Sequence, residues 1–374
     1  MSSSAVLPTE AQLSQSPVKQ LRKTRKSIQK YFQLGKVMSI GQDNPFTIHA
    51  VDEEMFRCFW SLFAETMVVD GALKRPTKEK ISVLVSKKND CQVCLIAHHM
   101  LKQISDKVSV DEADPYLEDA LVFAEEVLMA SHSGREIKIP ADTTLSTEAQ
   151  AEVALIVLVK THMNRTTSAL VGEQLSTAAF GVPRVVAKRM ESKGAVNVFS
   201  KLLAPFLARG IKAKYEPGIT RNLFKHVVDD HLTLPSHLKG ATLAGAERGI
   251  ALARMHAAMD TIYETRLEDN ILPRAVVHFV DDAIPPAGTS PGQMSSWILV
   301  HMRKSIAAAL PDENHQSLAA LLLFVAYSPK SIQRLTQWEQ TVKRLGLKNA
   351  KLLVLWFSMR FTLLNAAGLE QAQP

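Results

Sequence analysis

Apolar residues recur every three or four positions along most of this chain, a spacing typical of helices that bury one face. Between Val51 and Met67 the apolar positions with this spacing are Met55, Phe56, Phe59, Trp60, Phe63 and Met67. The strict alternation of apolar and polar residues that marks a half-buried strand is scarce throughout the chain. The pattern therefore predicts an all-α fold.

Polar and proline-containing breaks set the predicted helix limits. Pro76 and Thr77 begin the second helix, which ends at the polar residues 87–90. A third helix follows at once, from Cys91 to about Ser105, with Asn89 or Asp90 as its N-cap. The remaining predicted helices are 115–132, 146–164 with a continuation over 166–174, 221–231, 241–266, 292–309, 314–327, 331–345 and 349–366.

The length of 374 residues predicts two domains, since single hydrophobic cores rarely serve chains this long. Residues 209–218 supply a glycine, a basic run and a Pro-Gly pair, which are typical of a linker. The predicted organisation is a flexible basic arm over 1–40, a first helical domain over 41–208, a linker over 209–220 and a second helical domain over 221–374.

The second domain is interpreted as a diverged copy of the first. Each half places an apolar helix before a pair of residues three apart, Cys91 and Cys94 in one and Ser328 and Ser331 in the other. The positions aligned with Glu79 and His98 are then Gln316 and Leu335. Neither thiol nor base survives in this copy, which predicts a packing or partner-binding role. The alternative to a repeat is a chance alignment, because such alignments are common among helical sequences.

Charge adds one feature to this picture. The net charge is +7, and between Lys19 and Lys36 there are seven Lys or Arg and no acid. Such an arm can contact nucleic acid, anionic lipid or a targeting receptor, but a solvated lead-in segment is the simpler interpretation. We predict no nucleic-acid partner. Without an apolar signal segment or a run long enough to span a bilayer, we expect a soluble, cytoplasmic protein, with the mitochondrion as the alternative.

Three cysteines do not make a secreted disulfide framework, which needs an even and larger number of cysteines. Cys58 lies in the apolar run 55–60 and is interpreted as a buried free thiol. Cys91 and Cys94 form a Cys-x-x-Cys pair, and this spacing points to redox chemistry or to a metal.

Three physical arguments favour a dithiol redox centre. Cys91 is expected in the first turn of its helix, where unpaired N–H groups and the helix dipole favour a thiolate. Residues three apart on a helix lie within the Cα separation of about 5–6 Å that a disulfide tolerates. His98 is four residues after Cys94 on the same face, where it can take the thiol proton. Glu79, on the preceding helix, is expected to orient His98.

Glu79, the Cys91-x-x-Cys94 pair twelve residues later and His98 four residues after it resemble the active-site pattern of AhpD-like alkylhydroperoxidases, in the carboxymuconolactone decarboxylase superfamily. Residues 163–165, Met-Asn-Arg, also resemble the closing helix of that fold. The resemblance covers roughly residues 45–180 and, weakly, the second copy.

The resemblance implies an oligomeric helical protein that reduces hydroperoxides with a dithiol or protein reductant. It implies that Cys94 attacks the peroxide, that Cys91 resolves the product as a disulfide, and that His98 and Glu79 move the proton. Val93 departs from the pattern, since some members carry a histidine there, and this puts the rate in doubt. Members that decarboxylate lack the Cys-x-x-Cys pair.

Two alternatives remain open at the level of sequence. Cys91, Cys94 and His98 or His99 can supply three zinc ligands, but no fourth ligand is evident in the sequence. The chain can also be a redox sensor or interaction protein whose dithiol no longer turns over. No G-x-G-x-x-G follows a strand, so we predict no nicotinamide or flavin cofactor, and no metal.

Overall fold

The computed structural model describes residues 45–108, 114–133, 137–139, 142–171, 215–224, 232–268, 271–283, 291–366 and 369. The predicted arm over 1–40, the first part of the linker and residues 172–174 and 225–231 of two predicted helices lie outside this set. The helices are α1 (Glu53–Phe63), α2 (Arg75–Lys88), α3 (Gln92–Val108), α4 (Leu117–Ser133), α5 (Thr147–Thr166), α6 (Ala246–Ile262), α7 (Arg274–Asp281), α8 (Pro291–Trp297), α9 (Arg303–Ala309), α10 (Glu313–Tyr327) and α11 (Thr336–Leu364).

Shorter helical segments extend or join these helices. Single π-helical turns continue four of them: Ala64–Val68 after α1, Thr167–Val171 after α5, Tyr263–Leu267 after α6 and Ile298–Met302 after α8. The 3₁₀ segments are Thr47–Val51, Arg221–Phe224, Ser236–Ala244 and Pro329–Arg334. The described residues contain no strand, and the predicted all-α fold is confirmed.

Side chains at the helix starts explain several boundaries. Asp52 accepts a hydrogen bond from the backbone N–H of Met55 at the start of α1, at 2.9 Å. Ser146 does the same for Ala149 at α5, and Asp312 for His315 at α10. Each side chain satisfies one of the N–H groups that a helix start leaves without a partner.

Several elements in the second half differ from the prediction. Arg221–Phe224, predicted to begin a helix, forms a 3₁₀ segment, and the helix predicted from residue 241 begins at Ala246, after the 3₁₀ segment Ser236–Ala244. Helix α7 was not predicted, because its eight residues follow Pro273 directly and its buried face consists of the β-branched Val276, Val277 and Val280. The helix predicted from residue 331 begins at Thr336, because Pro329–Arg334 forms a 3₁₀ segment. The predicted break between 345 and 349 is present as a kink at Gly346 within α11.

Helix α5 is central and is buried around its whole circumference. It packs against α2, α4, α11 and the 3₁₀ segment Ser236–Ala244. Its buried charged residues Glu152 and Arg165 have partners that are distant in the sequence, as the burial of charge requires. Glu152 pairs with Lys78 and Arg248, and Arg165 donates to the Ala326 carbonyl.

The two predicted domains contribute to one continuous hydrophobic cluster. It runs from Ile48 to Leu369, and α1 packs against α6 while α5 packs against α11. Arg248 adds polar contacts between the halves, because it pairs with Glu152 and donates to the carbonyl oxygens of Glu65 and Val69. The boundary predicted at 209–220 therefore divides the sequence without dividing the core.

One contact bears on the predicted repeat. In the sequence, Thr166 to Gly172 also aligns with Thr362 to Gly368, at an offset of 196 residues, and the same offset pairs His162 of α5 with Ser358 of α11. These two side chains touch, with Nδ1 of His162 3.1 Å from Oγ of Ser358. Equivalent residues meet in this way where two copies pack about a local two-fold axis. The repeat itself stays a prediction.

Candidate active site

The Cys-x-x-Cys pair lies at the junction of α2 and α3. Helix α2 ends in a Schellman motif: the N–H of Asp90 bonds to the Lys87 carbonyl and the N–H of Cys91 to the Ser86 carbonyl, at 3.2 and 3.0 Å. Asp90 adopts the left-handed conformation that this motif needs, with φ 52°. Asn89 and Asp90 therefore end α2, and the prediction that one of them caps α3 is wrong.

Cys91 itself occupies the N-cap position of α3. Its carbonyl accepts the N–H of Leu95 at 2.9 Å, the first hydrogen bond of the helix, while α3 begins at Gln92. Cys91 thus stands one residue before the predicted first turn, and Cys94 lies within that turn. At an N-cap, a side-chain acceptor faces the free N–H groups of the helix start.

All three cysteines are free thiols, and all are buried. Cys91 is 2% exposed and Cys94 is 4% exposed, and with Val93 they form a small apolar cluster outside the main core. Cys58 lies in the main core beside Glu54, and burial raises the pKa of its thiol to about 12. The prediction that Cys58 is a buried free thiol is confirmed, and a buried thiol of raised pKa is unreactive.

Glu79 and His98 are brought together as predicted. Oε2 of Glu79 lies 2.8 Å from Nδ1 of His98, and both side chains are buried. The other carboxylate oxygen of Glu79 accepts from Arg75, with N–O distances of 2.8 and 2.6 Å. Burial favours the neutral acid, but Arg75, His98 and Lys160 outweigh it and lower the pKa of Glu79 to about 2.

Lys160 is a site residue that the sequence analysis missed. Its Nζ lies 3.0 Å from Nε2 of His98 and 4.6 Å from the centre of the Phe63 ring, and the side chain is fully buried. Burial lowers the pKa of this lysine to about 8, although Glu79 and Cys94 favour its charged form. The signal in the sequence was a lysine directly after the apolar run 153–159, where a charge needs a partner.

Both ring nitrogens of His98 are therefore engaged, one by Glu79 and one by Lys160. Burial and the charge of Lys160 lower the pKa of His98 to about 4, so the ring is neutral at pH 7. The ring makes no hydrogen bond to Cys94. The predicted direct proton transfer between Cys94 and His98 is not set up in this arrangement.

The two thiols differ in acidity. Burial raises the Cys91 pKa, but hydrogen bonding by the side chain and backbone amide of Cys94, then by Ser168, and the charge of Lys330 together lower it. For Cys94, burial and the neighbouring Cys91 sulfur raise the pKa, while Thr167 and Lys160 act in the opposite sense. Ionisation at the junction thus begins at Cys91, as expected of an N-cap thiol.

The second half of the chain reaches this site. Lys330 pairs with Asp90 at 2.6 Å, next to Cys91, and Gln333 donates to the Ala169 carbonyl in the π-helical turn after α5. Ser328 and Ser331, aligned with the two cysteines, have their Oγ atoms 3.0 Å apart and both contact Ser295. This hydroxyl cluster includes no base.

No group of three or more His, Cys, Asp or Glu side chains within the described ranges is arranged to hold a metal ion. Of the possible zinc ligands, His98 has both nitrogens engaged and His99 points to solvent. Across the described residues no helix is both long and apolar enough to cross a membrane. No protein-family model, curated protein sequence or solved structure matches this chain.

Proposed function

We propose that this protein is a thiol-dependent peroxidase that reduces hydroperoxides through a Cys91/Cys94 dithiol–disulfide cycle. The observation that carries the proposal is a Cys-x-x-Cys pair at a helix start beside a buried glutamate–histidine pair, with Glu79 and His98 joined at 2.8 Å. A buried, hydrogen-bonded charge cluster beside two thiols is costly in stability, and such clusters concentrate at functional sites.

The proposed reaction has three steps. The Cys94 thiolate attacks the peroxide: a sulfur–oxygen bond forms, the O–O bond breaks, and the alkoxide leaves as alcohol after taking a proton. The Cys91 thiolate then attacks the sulfenic sulfur, so that a disulfide forms and hydroxide leaves as water with a second proton. An external dithiol, free or on a protein, reduces the disulfide by thiol exchange.

Structure supports the pairing of the two thiols more strongly than their order. Residues 91 and 94 lie at the start of one helix, within disulfide reach by their spacing. Because the pKa of Cys94 is raised, its thiol must lose a proton before it attacks, whereas the pKa of Cys91 is lowered. We retain Cys94 as attacker and Cys91 as resolver, with a cytoplasmic or mitochondrial location and a homo-oligomer as further proposals.

The test measures hydroperoxide consumption with dithiothreitol as donor, together with trapping of sulfenic acid by a 1,3-diketone probe. The wild type is expected to turn over, and Cys94→Ser to lose turnover. Cys91→Ser is expected to accumulate the trapped sulfenic acid on Cys94. Cys58→Ser, a buried thiol outside the site, is the matched control and is expected to keep wild-type turnover.

Other results would reverse particular parts of the proposal. Trapping on Cys91 in the Cys94→Ser variant, with peroxide still consumed, would exchange the roles of the two thiols. Rapid oxidation of both thiols without turnover would make the protein a redox sensor. Stoichiometric zinc that removes all thiol reactivity from the purified protein would make the pair a structural metal site.

A further inference from the structure

Lys160 lies against the face of α3 that carries both His98 and Cys94. On α3, Cys94 and His98 are one turn apart; on α5 and its π-helical extension, Thr167 lies two turns after Lys160. His98 contacts Lys160, and α3 packs against the π-helical turn Thr167–Val171 that follows α5. Lys160 thus lies against His98, one helical turn along α3 from Cys94.

The position of Lys160 is fixed from several sides. His98 holds Nζ at 3.0 Å, the Phe63 ring lies under the ammonium at 4.6 Å, and the Met163 sulfur lies 3.8 Å away. Among the described residues no carboxylate pairs with Nζ directly, and Glu79 instead contacts the other nitrogen of the His98 ring. A buried ammonium without a bonded carboxylate gains most from a new anion nearby.

From this geometry we infer that Lys160 is the cation against which the Cys94 thiolate forms, with His98 as a positioning residue that holds Lys160 and Glu79 behind it. Where the amine is neutral, the S–H bond of Cys94 breaks and an N–H bond forms on Lys160, giving an ammonium–thiolate pair. Where it is already an ammonium, the thiol proton leaves to water and the charge stabilises the thiolate. The inference rests on the proposed role of Cys94.

Other charged and titratable groups face this pair and set the background. Helix α2 contributes Arg75 and Glu79, and α3 contributes His98, with Cys91 at its N-cap. The 3₁₀ segment after α10 contributes Lys330, whose charge acts on Cys91. Replacing Cys91 with serine removes the competing thiol, so that the titration of Cys94 is measured alone.

The experiment follows the rate of Cys94 alkylation by iodoacetamide against pH in a Cys91→Ser, Cys58→Ser background, and requires no peroxide. Lys160→Met is expected to move the apparent pKa of Cys94 up by about one unit or more, and to slow alkylation at pH 7 about tenfold. Lys160→Arg, which keeps the charge, is expected to restore most of the rate. His98→Gln is expected to give a smaller shift than Lys160→Met.

Lys78→Met is the matched control, since Lys78 is an equally buried lysine that pairs with Glu152 away from the thiols. It is expected to leave the pH profile of Cys94 in place, and circular dichroism confirms folding for each variant. An unchanged profile in Lys160→Met, or a shift in His98→Gln as large as in Lys160→Met, overturns the inference. Absent peroxide turnover with a shifted profile would instead count against the proposed function alone.

Discussion

Glu79 is the residue on which the charge balance of the site depends. Its carboxylate is fully buried; one oxygen pairs with the Arg75 cation, the other bonds to the neutral His98 ring, and that ring contacts Lys160. A buried anion among cations contributes less net stability than its contacts suggest, because burial is costly. Its removal, by contrast, leaves buried positive charge without compensation.

We therefore expect Glu79→Gln, which keeps the side-chain size and removes the charge, to lower the free energy of unfolding by about 3 kcal/mol. Urea denaturation at pH 7 measures this. Glu125→Gln is the control, because Glu125 pairs with Lys88 at a half-exposed position and its loss is expected to cost less than about 1 kcal/mol. Equal effects of the two substitutions would mean that Glu79 does not hold the buried cations.

At the scale of elements, two residues with positive φ, Asp90 and Gly346, shape the helices. Asp90 ends α2 in a left-handed conformation and so allows Cys91 to begin α3 without a loop. Gly346 kinks α11 with φ 75° and ψ 153°, a backbone region that is essentially restricted to glycine. The kink separates the exposed first part of α11 from the buried part that packs against α5.

The kink predicts the sign of a substitution. In a regular helix, Gly→Ala stabilises by up to about 1 kcal/mol. At Gly346 we expect Ala to destabilise by about 1–3 kcal/mol, although no atom lies within 4 Å of the added Cβ, because the backbone conformation itself is strained for alanine. Thermal or urea unfolding of Gly346→Ala decides between the two signs, with Leu347→Ala, at the exposed neighbour, as the control of small effect.

At the scale of the whole molecule, several histidines are buried in neutral form. Burial lowers the pKa of His49 to about 3 and of His98 to about 4, and it holds that of His162 well below its ordinary value. His49 and His162 contact each other, Nε2 to Nε2, at 2.9 Å, and His162 contacts Ser358 of the second half. Protonation therefore strains the packing between α5 and α11.

The pH dependence follows from these directions. The folded pKa of each histidine lies below the unfolded value of about 6.5, so the unfolded chain binds more protons as pH falls. Stability is expected to be fully present above pH 6.5 and to fall between pH 6.5 and 4, by about 1.4 kcal/mol per pH unit for each histidine. Urea midpoints at pH 7, 6 and 5 measure the slope.

A matched pair of variants tests the origin of that slope. His162→Gln removes one buried titrating group and is expected to make stability less dependent on pH in this range. His278→Gln removes an exposed histidine and is expected to leave the dependence unchanged. A slope that is the same in all three proteins would assign the acid sensitivity to groups other than the buried histidines.

The sequence by itself determined the helical class, most helix positions in the first half and the local core of the site. Helical periodicity and the spacing of Cys91, Cys94 and His98 are local properties, because residues within two turns of one helix have fixed relative positions. The Glu79–His98 contact was also within reach, since α2 and α3 follow each other directly and pack as neighbours. The cap residue was misplaced by the unrecognised left-handed turn at Asp90.

The tertiary structure alone decided which charges surround the thiols. Lys160 reaches His98 across 62 residues, and Lys330 reaches Asp90 across 240, so no local pattern fixes either contact. The same packing joins both halves in one core and places the second half beside Cys91. Burial then sets the ionisation of each group, because the cost of a buried charge depends on neighbours that only the folded chain brings together.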